Sequence, residues 1–380
     1  MKKRRKPPVV EVKEEKKETA EARILDDINV SHAKIKSFNS RLFYVSVAIL
    51  NILALVIAMI YLDNRDDIEK FDIVLENLTW NTILILVGIF VCIMLLKTLP
   101  NFMKLYARTK SRKFGLMYRS IVCGEFYSIM TTYSSGENVM MSKYLENHKI
   151  DSKHSIDVAY SKTIFNRIAT FIYSTVLVIL GLIFWNDEVS VWILIPAIIA
   201  LLINFSIVML VWAFINHKKA TLHFISNICK FLFNKRIIKD YEKFYDKIVD
   251  KLLIYNKAFK HNRILIFTEI MSYILIQFLK GVLLYFSLVT LNIGGVEILG
   301  DILYRFVLVD LILSIWPLQK GTIIFEIIFI SLYYYIFFSG YLYWGLMIVR
   351  FFDYFVYMIQ YLFVIIYDAI AKQLVKNSKV

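Results

Sequence analysis

The stretch VSVWILIPAIIALLINFSIVMLVWAFI, Val189–Ile215, runs for 27 residues without a single charge. An α-helix rises about 1.5 Å per residue, so this segment exceeds the roughly 30 Å of a bilayer's hydrocarbon core. Three other charge-free stretches approach or reach spanning length: Leu42–Leu62, Trp80–Leu96 and Ile168–Trp185. The 380-residue chain is 58% hydrophobic, too apolar for a soluble surface to cover. The expected class is an all-α integral membrane protein with about eight transmembrane helices plus re-entrant or broken helices.

Charge sets the expected orientation. Residues 1–41 hold twelve Lys/Arg, and residues 63–79 hold two against six Asp/Glu. Residues 97–120 hold seven Lys/Arg and no acid, and residues 216–263 hold twelve Lys/Arg. Basic loops stay cytoplasmic, which places both termini inside a plasma membrane and the 63–79 loop outside. The same rule accounts for the net charge of +14. Anionic membrane lipids are therefore the expected counterpart, and nucleic acid is not. Cys92, Cys123 and Cys229 have no paired spacing and read as buried small hydrophobes. No metal or other cofactor is expected.

Residues 1–40 read as a basic, largely disordered cytoplasmic tail, 41–370 as the transmembrane domain and 371–380 as a second cytoplasmic tail. Within the domain, region 99–164 is expected to re-enter from the cytoplasm as two short helices around Tyr133-Ser134-Ser135-Gly136. Segment 216–262 carries Ile237, Tyr241, Phe244, Ile248 and Leu252 at helical spacing among lysines, a pattern that suits the membrane surface. The later spans read Ile264–Leu291, Ile298–Trp316, Thr322–Phe338 and Tyr341–Ile370. A break at Pro317–Gly321 separates the second of these from the third, and a turn at Gly340 separates the third from the fourth. Spans six and seven either cross fully or form a second re-entrant pair.

Ionisable side chains inside apolar spans are costly, so they mark a cavity or a partner. The candidates for substrate binding are Arg119, Gly136, Glu137, Lys280, Asp310, Pro317, Lys320, Gly321, Glu326, Arg350 and Asp353. Lys280 and Glu326 read as deepest. Arg350 and Asp353, three residues apart, are either a structural pair or part of the site. Arg305 is expected to snorkel to the outer headgroups, and Glu269 to lie wet near a span end. The Tyr333-Tyr334-Tyr335 run is expected to face lipid or the interface. Paired helix breaks in the two halves of a chain point to a transporter's binding site.

Gly136-Glu137, followed by Val139, Lys143-Tyr144-Leu145 and Lys149-Ile150, resembles the first motif of the lysylphosphatidylglycerol synthase transmembrane, flippase-like family. Pro317, Gly321 and Glu326 resemble its second motif, and Arg350 with Tyr354 a third feature. The resemblance covers roughly residues 40–370. It departs where the family has Pro before Gly-Glu, here Thr131-Thr132, and where it has Arg, here Met140. The resemblance implies movement of a phospholipid or lipid-linked headgroup between leaflets. Because the chain ends at Val380, the aminoacyl-transfer domain of the full-length family members is expected to be missing, and lipid transport rather than lysyl transfer is the expected activity. Alternatives are a membrane enzyme acting on a headgroup, or a non-catalytic scaffold. A homo-oligomer stays open. No Walker-type glycine loop is present, so an ATP-driven pump is not expected.

Overall fold

The computed structural model describes residues 78–131, 135–185, 189–260, 262–289, 295–316, 323–334 and 341–377, together with scattered positions between 49 and 76 and residues 291 and 336. Residues 1–40 and 378–380, most of the 63–79 loop, and Pro317, Lys320 and Gly321 lie outside the described residues, while 371–377 of the C-terminal tail continue the last helix. Those residues form helices α1 (Trp80–Thr109), α2 (Phe114–Met130), α3 (Ser135–Asn147), α4 (Ser152–Phe184), α5 (Val191–Asn216), α6 (Lys218–Asn234) and α7 (Tyr241–Ala258). These are followed by α8 (Arg263–Val289), α9 (Leu299–Ile315), α10 (Ile323–Tyr333), α11 (Leu342–Arg350) and α12 (Val356–Asn377).

Among the described residues, five helical runs are long and apolar enough to cross a membrane: α1, α4, α5, α8 and the continuous run from Leu342 to Ala371. This is the make-up of an all-α, multi-pass membrane protein. Outer faces carry the apolar exposure that lipid requires, as at Leu84, Val87 and Val91 on α1 and Leu202, Phe205 and Met209 on α5. Trp80 and Trp192 are the most exposed of these large side chains, and each stands at the first turn of its helix, the position of an interfacial aromatic belt.

Two spans are longer than their charge-free windows. Helix α1 continues past Leu96 through Pro100 to Thr109, and α4 starts sixteen residues before Ile168, at Ser152. Region 99–164 is therefore the end of α1, the α2–α3 hairpin and the start of α4. In α1, Asn101 Nδ2 donates to the Lys97 carbonyl at 2.8 Å and Thr98 Oγ1 to that of Met94 at 2.7 Å. Both donors are buried polar side chains beside Pro100, each satisfied by a carbonyl one turn back in its own helix. The two short helices read around the break are α2 and α3. At their joint, Thr131 Oγ1 donates to Tyr127 O at 2.6 Å and accepts from Gly136 N at 2.8 Å. A Cβ on Gly136 would lie 2.7 Å from Thr131 Cγ2, so the hairpin closes only around glycine.

Helix α9 is buried along most of its length and packs on α4, α5, α8 and α10. Its sequence is apolar on most sides, and its three charges, Asp301, Arg305 and Asp310, meet a partner or a polar cavity. Gly181 lets α4 approach it so closely that any Cβ there would enter the Tyr304 ring. Tyr333 is fully buried rather than lipid-facing, because its hydroxyl donates to Ile302 O on α9 at 3.1 Å. Cys123 and Cys229 are buried, but Cys92 is exposed on the outer side of α1.

In segment 216–262, α6 and α7 pack against each other and on α5. Tyr245 and Leu252 turn inward, whereas Phe244 and Ile237 are exposed; Ile237 precedes α7 and does not share its face. Phe224, Ile228 and Phe231 add to this exposed apolar surface from α6.

Candidate functional site

The apolar interior divides into two large clusters and a small third one of Val139, Ile156 and Ile254. One large cluster is built mainly by α1, α2, α3, α7 and α12 around the lower halves of α4 and α8. The other is centred on α9, α10 and α11 with the opposite ends of α4, α5 and α8. A polar cavity of about 480 Å³ lies between them, since Tyr273 and Ile276 of the first and Phe306, Val309 and Phe325 of the second share its wall.

Six cations line this cavity: Lys97, Lys162, Arg167, Lys251, Lys280 and Arg350. Four carboxylates face them: Glu125, Glu137, Asp310 and Asp353. Burying so much charge between helices is tolerable only with partners. Lys162 of α4 supplies the central one. Its ammonium pairs with Glu137 of α3 and lies 3.4 Å from Glu125 of α2. Lys97 of α1 pairs with the same Glu125 oxygen at 2.8 Å and donates to Tyr357 Oη at 2.9 Å. Four helices are thus tied at one corner by two cations and two anions.

Elsewhere on the cavity wall, Arg350 grips Glu326 Oε1 through Nη2 at 2.5 Å and Nε at 2.6 Å. Its guanidinium also lies 4.1 Å from the Phe325 ring centroid, a cation–π contact. Both members of this pair are almost fully buried, and Glu326 Oε2 takes no hydrogen bond. The helix widens to a π-turn over Phe351–Phe355 directly after Arg350, and Asp353 reaches the cavity from that turn. Single π-turns of this kind concentrate at functional sites.

Amides and hydroxyls add to the lining. Arg167 Nη1 donates to Asn204 Oδ1 at 3.2 Å, Gln277 Nε2 to Thr170 Oγ1 at 3.0 Å, and Asn138 Nδ2 to Thr163 Oγ1 at 2.8 Å. Lys251 and Tyr255 bring α7 to the rim, and Lys251 is exposed.

The cavity brings together Glu137, Lys280, Asp310, Arg350 and Asp353 from the sequence candidates, with Glu326 directly behind the wall. Gly136 sits one residue before Glu137 and shapes the turn that delivers it. Arg119 is elsewhere: its guanidinium lies 4.0 Å from the Tyr367 ring centroid and 3.8 Å from Asp368 Oδ1, at the crossing of α2 and α12. Two expectations are reversed. Arg305 does not snorkel but is buried, donating to Asp301 Oδ1 at 2.9 Å and to Leu332 O at 2.5 Å. Glu269 is not wet but 1% exposed, paired with Lys104 at 2.7 Å. In both cases a partner from a neighbouring helix or turn makes burial tolerable.

Sequence reasoning missed Lys97, Lys162, Arg167 and Lys251. A signal for the first was present: Lys97, Asn101, Lys104 and Arg108 recur at helical spacing and form one polar stripe, which a loop reading of this region concealed. Among the described residues, no group of three or more His, Cys, Asp or Glu side chains could hold a metal ion. Neither a family model, nor a curated protein, nor a solved structure matches the chain.

Proposed function

We propose that this protein moves the polar headgroup of a phospholipid or lipid-linked substrate between leaflets, in the manner of the flippase-like family its motifs resemble. One observation carries the reading: a charged cavity, open to water-sized molecules, lies between helices whose outer faces are apolar. Six cations and four carboxylates line it, and Glu326 behind the wall offsets Arg350. The remaining single positive excess suits a singly charged phosphodiester. Lys280, Arg167 and Lys251 would take the phosphate, while Asp310 and Asp353 would take an amine or hydroxyls. The acyl chains would stay in the bilayer, so only the headgroup exchanges water for protein. On this reading the chain makes about eight crossings of a plasma membrane, with both termini and the basic α6–α7 pair on the cytoplasmic side.

The test is reconstitution into liposomes of phosphatidylcholine and phosphatidylglycerol carrying a trace of fluorescent phospholipid. A membrane-impermeant reductant bleaches only the outer leaflet. The protein is expected to expose the inner-leaflet probe to bleaching well above the rate in empty liposomes, and Lys280→Ala to slow it. Equal rates with and without protein would remove the proposal. Chemical conversion of the headgroup during the assay would favour the enzyme reading instead.

A further inference from the structure

Helices α1, α4 and α8 meet along a buried polar seam that leads out of the cavity. Helix α1 contributes Lys97, Asn101, Lys104 and Arg108, spaced four, three and four residues apart and therefore on one face. Helix α8 contributes Glu269 and Tyr273, one turn apart, on the face that continues to Gln277 and Lys280. The seam begins at the ion pair of Arg108 with Asp157 of α4, where the arginine side chain is 19% exposed. One turn inward, Lys104 Nζ donates to Glu269 Oε1 at 2.7 Å and to Ser161 Oγ at 2.7 Å. A further turn inward, Asn101 Nδ2 donates to the Tyr273 hydroxyl at 3.3 Å, and Tyr273 lines the cavity beside Lys97.

Glu269 is the unusual member. It is 1% exposed, and only one of its carboxylate oxygens is engaged; Oε2 is buried without a hydrogen bond. An open lone pair on a carboxylate buried this deeply is a place for a proton. The charges acting on it are Lys104 from α1 and Lys162 and Asp157 from α4. Helices α9 and α11 also pack on α8, but they bring Asp310 and Arg350 to its Lys280 end.

We infer that Glu269 is a proton-binding site that couples proton movement along this seam to transfer of the headgroup in the cavity. A proton entering at the Arg108–Asp157 end binds Glu269 Oε2. The neutral carboxyl releases its hold on Lys104, whose ammonium stays solvated by Ser161 and attracted by Asp157. The bond that ties α1 to α8 at this level is thereby weakened, and these two helices carry Lys97 and Lys280 at the cavity. The proton then leaves past the Tyr273 hydroxyl into the cavity, and its loss restores the pair. No other bond is made or broken, so the proton gradient itself is the energy source. The inference rests on the transport reading above.

The experiment applies a pH difference across the same fluorescent-lipid liposomes and follows lipid movement and lumenal pH together. Wild type is expected to move lipid at least about fivefold faster under one sign of the gradient, the low end of coupling between two sites. Proton flux should accompany the lipid. Glu269→Gln is expected to keep a basal rate but lose both the stimulation and the flux. Parallel loss of basal rate, stimulation and thermal stability in Glu269→Gln would mark the pair as merely structural and overturn the inference. Should that variant not fold, Tyr273→Phe leaves the pair intact and cuts the link to the cavity; undiminished stimulation there would overturn it equally. Lipid movement in wild type that ignores the gradient sinks the coupling while transport stands. No lipid movement under any gradient sinks both.

Discussion

Lys162→Met is expected to destabilise the purified protein by about 3–5 kcal/mol, the usual cost of removing one partner from a buried ion pair. Lys162 is 6% exposed and sits between Glu137 and Glu125. Without its ammonium, the carboxylates of Glu125 on α2 and Glu137 on α3 are left side by side at this corner, and the balance there falls to Lys97. The α2–α3 hairpin touches α4 through this corner, so its position depends on the charge rather than on the length of the side chain. Lys162→Arg should therefore retain most of the stability. Adding Glu137→Gln to Lys162→Met should recover much of the loss, because the repulsion goes with it. The ordering is read from thermal unfolding midpoints in detergent. A Lys162→Met protein that melts with wild type would show that the four-charge corner contributes nothing.

Arg350→Met should produce a loss of similar size, again about 3–5 kcal/mol, by stranding Glu326. The guanidinium is 3% exposed and its carboxylate partner 2%. Here the double variant is the informative one. Replacing both residues by apolar side chains of like volume removes the pair together with its desolvation cost, and such exchanges are often neutral or stabilising. Arg350→Met with Glu326→Met is therefore expected to melt close to wild type, short only of the cation–π interaction with the Phe325 ring. If the double variant is as unstable as the single one, the pair is not an isolated unit and a further partner of Arg350 dominates. Lipid movement in the stable double variant then separates the pair's role in shape from any role in handling the headgroup.

The cores of the spans were readable because uninterrupted apolar runs leave a helix no other place than lipid. The ends of α1 and α4 were not, and for one reason. Lys97 stops the charge-free window at Leu96, and Arg167 stops the other before Ile168, yet both side chains point into the cavity while their helices continue. A rule that ends spans at charges cuts them at the residues that line the site. The α2–α3 joint was legible from Ser135-Gly136, since only a glycine admits Thr131 so closely. Glu137, Lys280, Asp310, Arg350 and Asp353 were legible because an ionisable group inside an apolar span must meet either a cavity or a partner. Arg119 met the same criterion and belongs instead to the α2–α12 crossing. Sequence position cannot tell a cavity from a helix crossing when both satisfy the charge. Glu269 was misjudged for the converse reason: its partner, Lys104, is 165 residues away in the chain.

The measurement that tests the central claim most directly is a density map of the protein in nanodiscs of phosphatidylcholine and phosphatidylglycerol. A lipid headgroup is expected in the cavity, its phosphate against Lys280 and Arg167 and its acyl chains leaving between helices toward the bilayer. A cavity crossed by acyl chains, or holding no lipid while headgroups line only the outer faces, would contradict it.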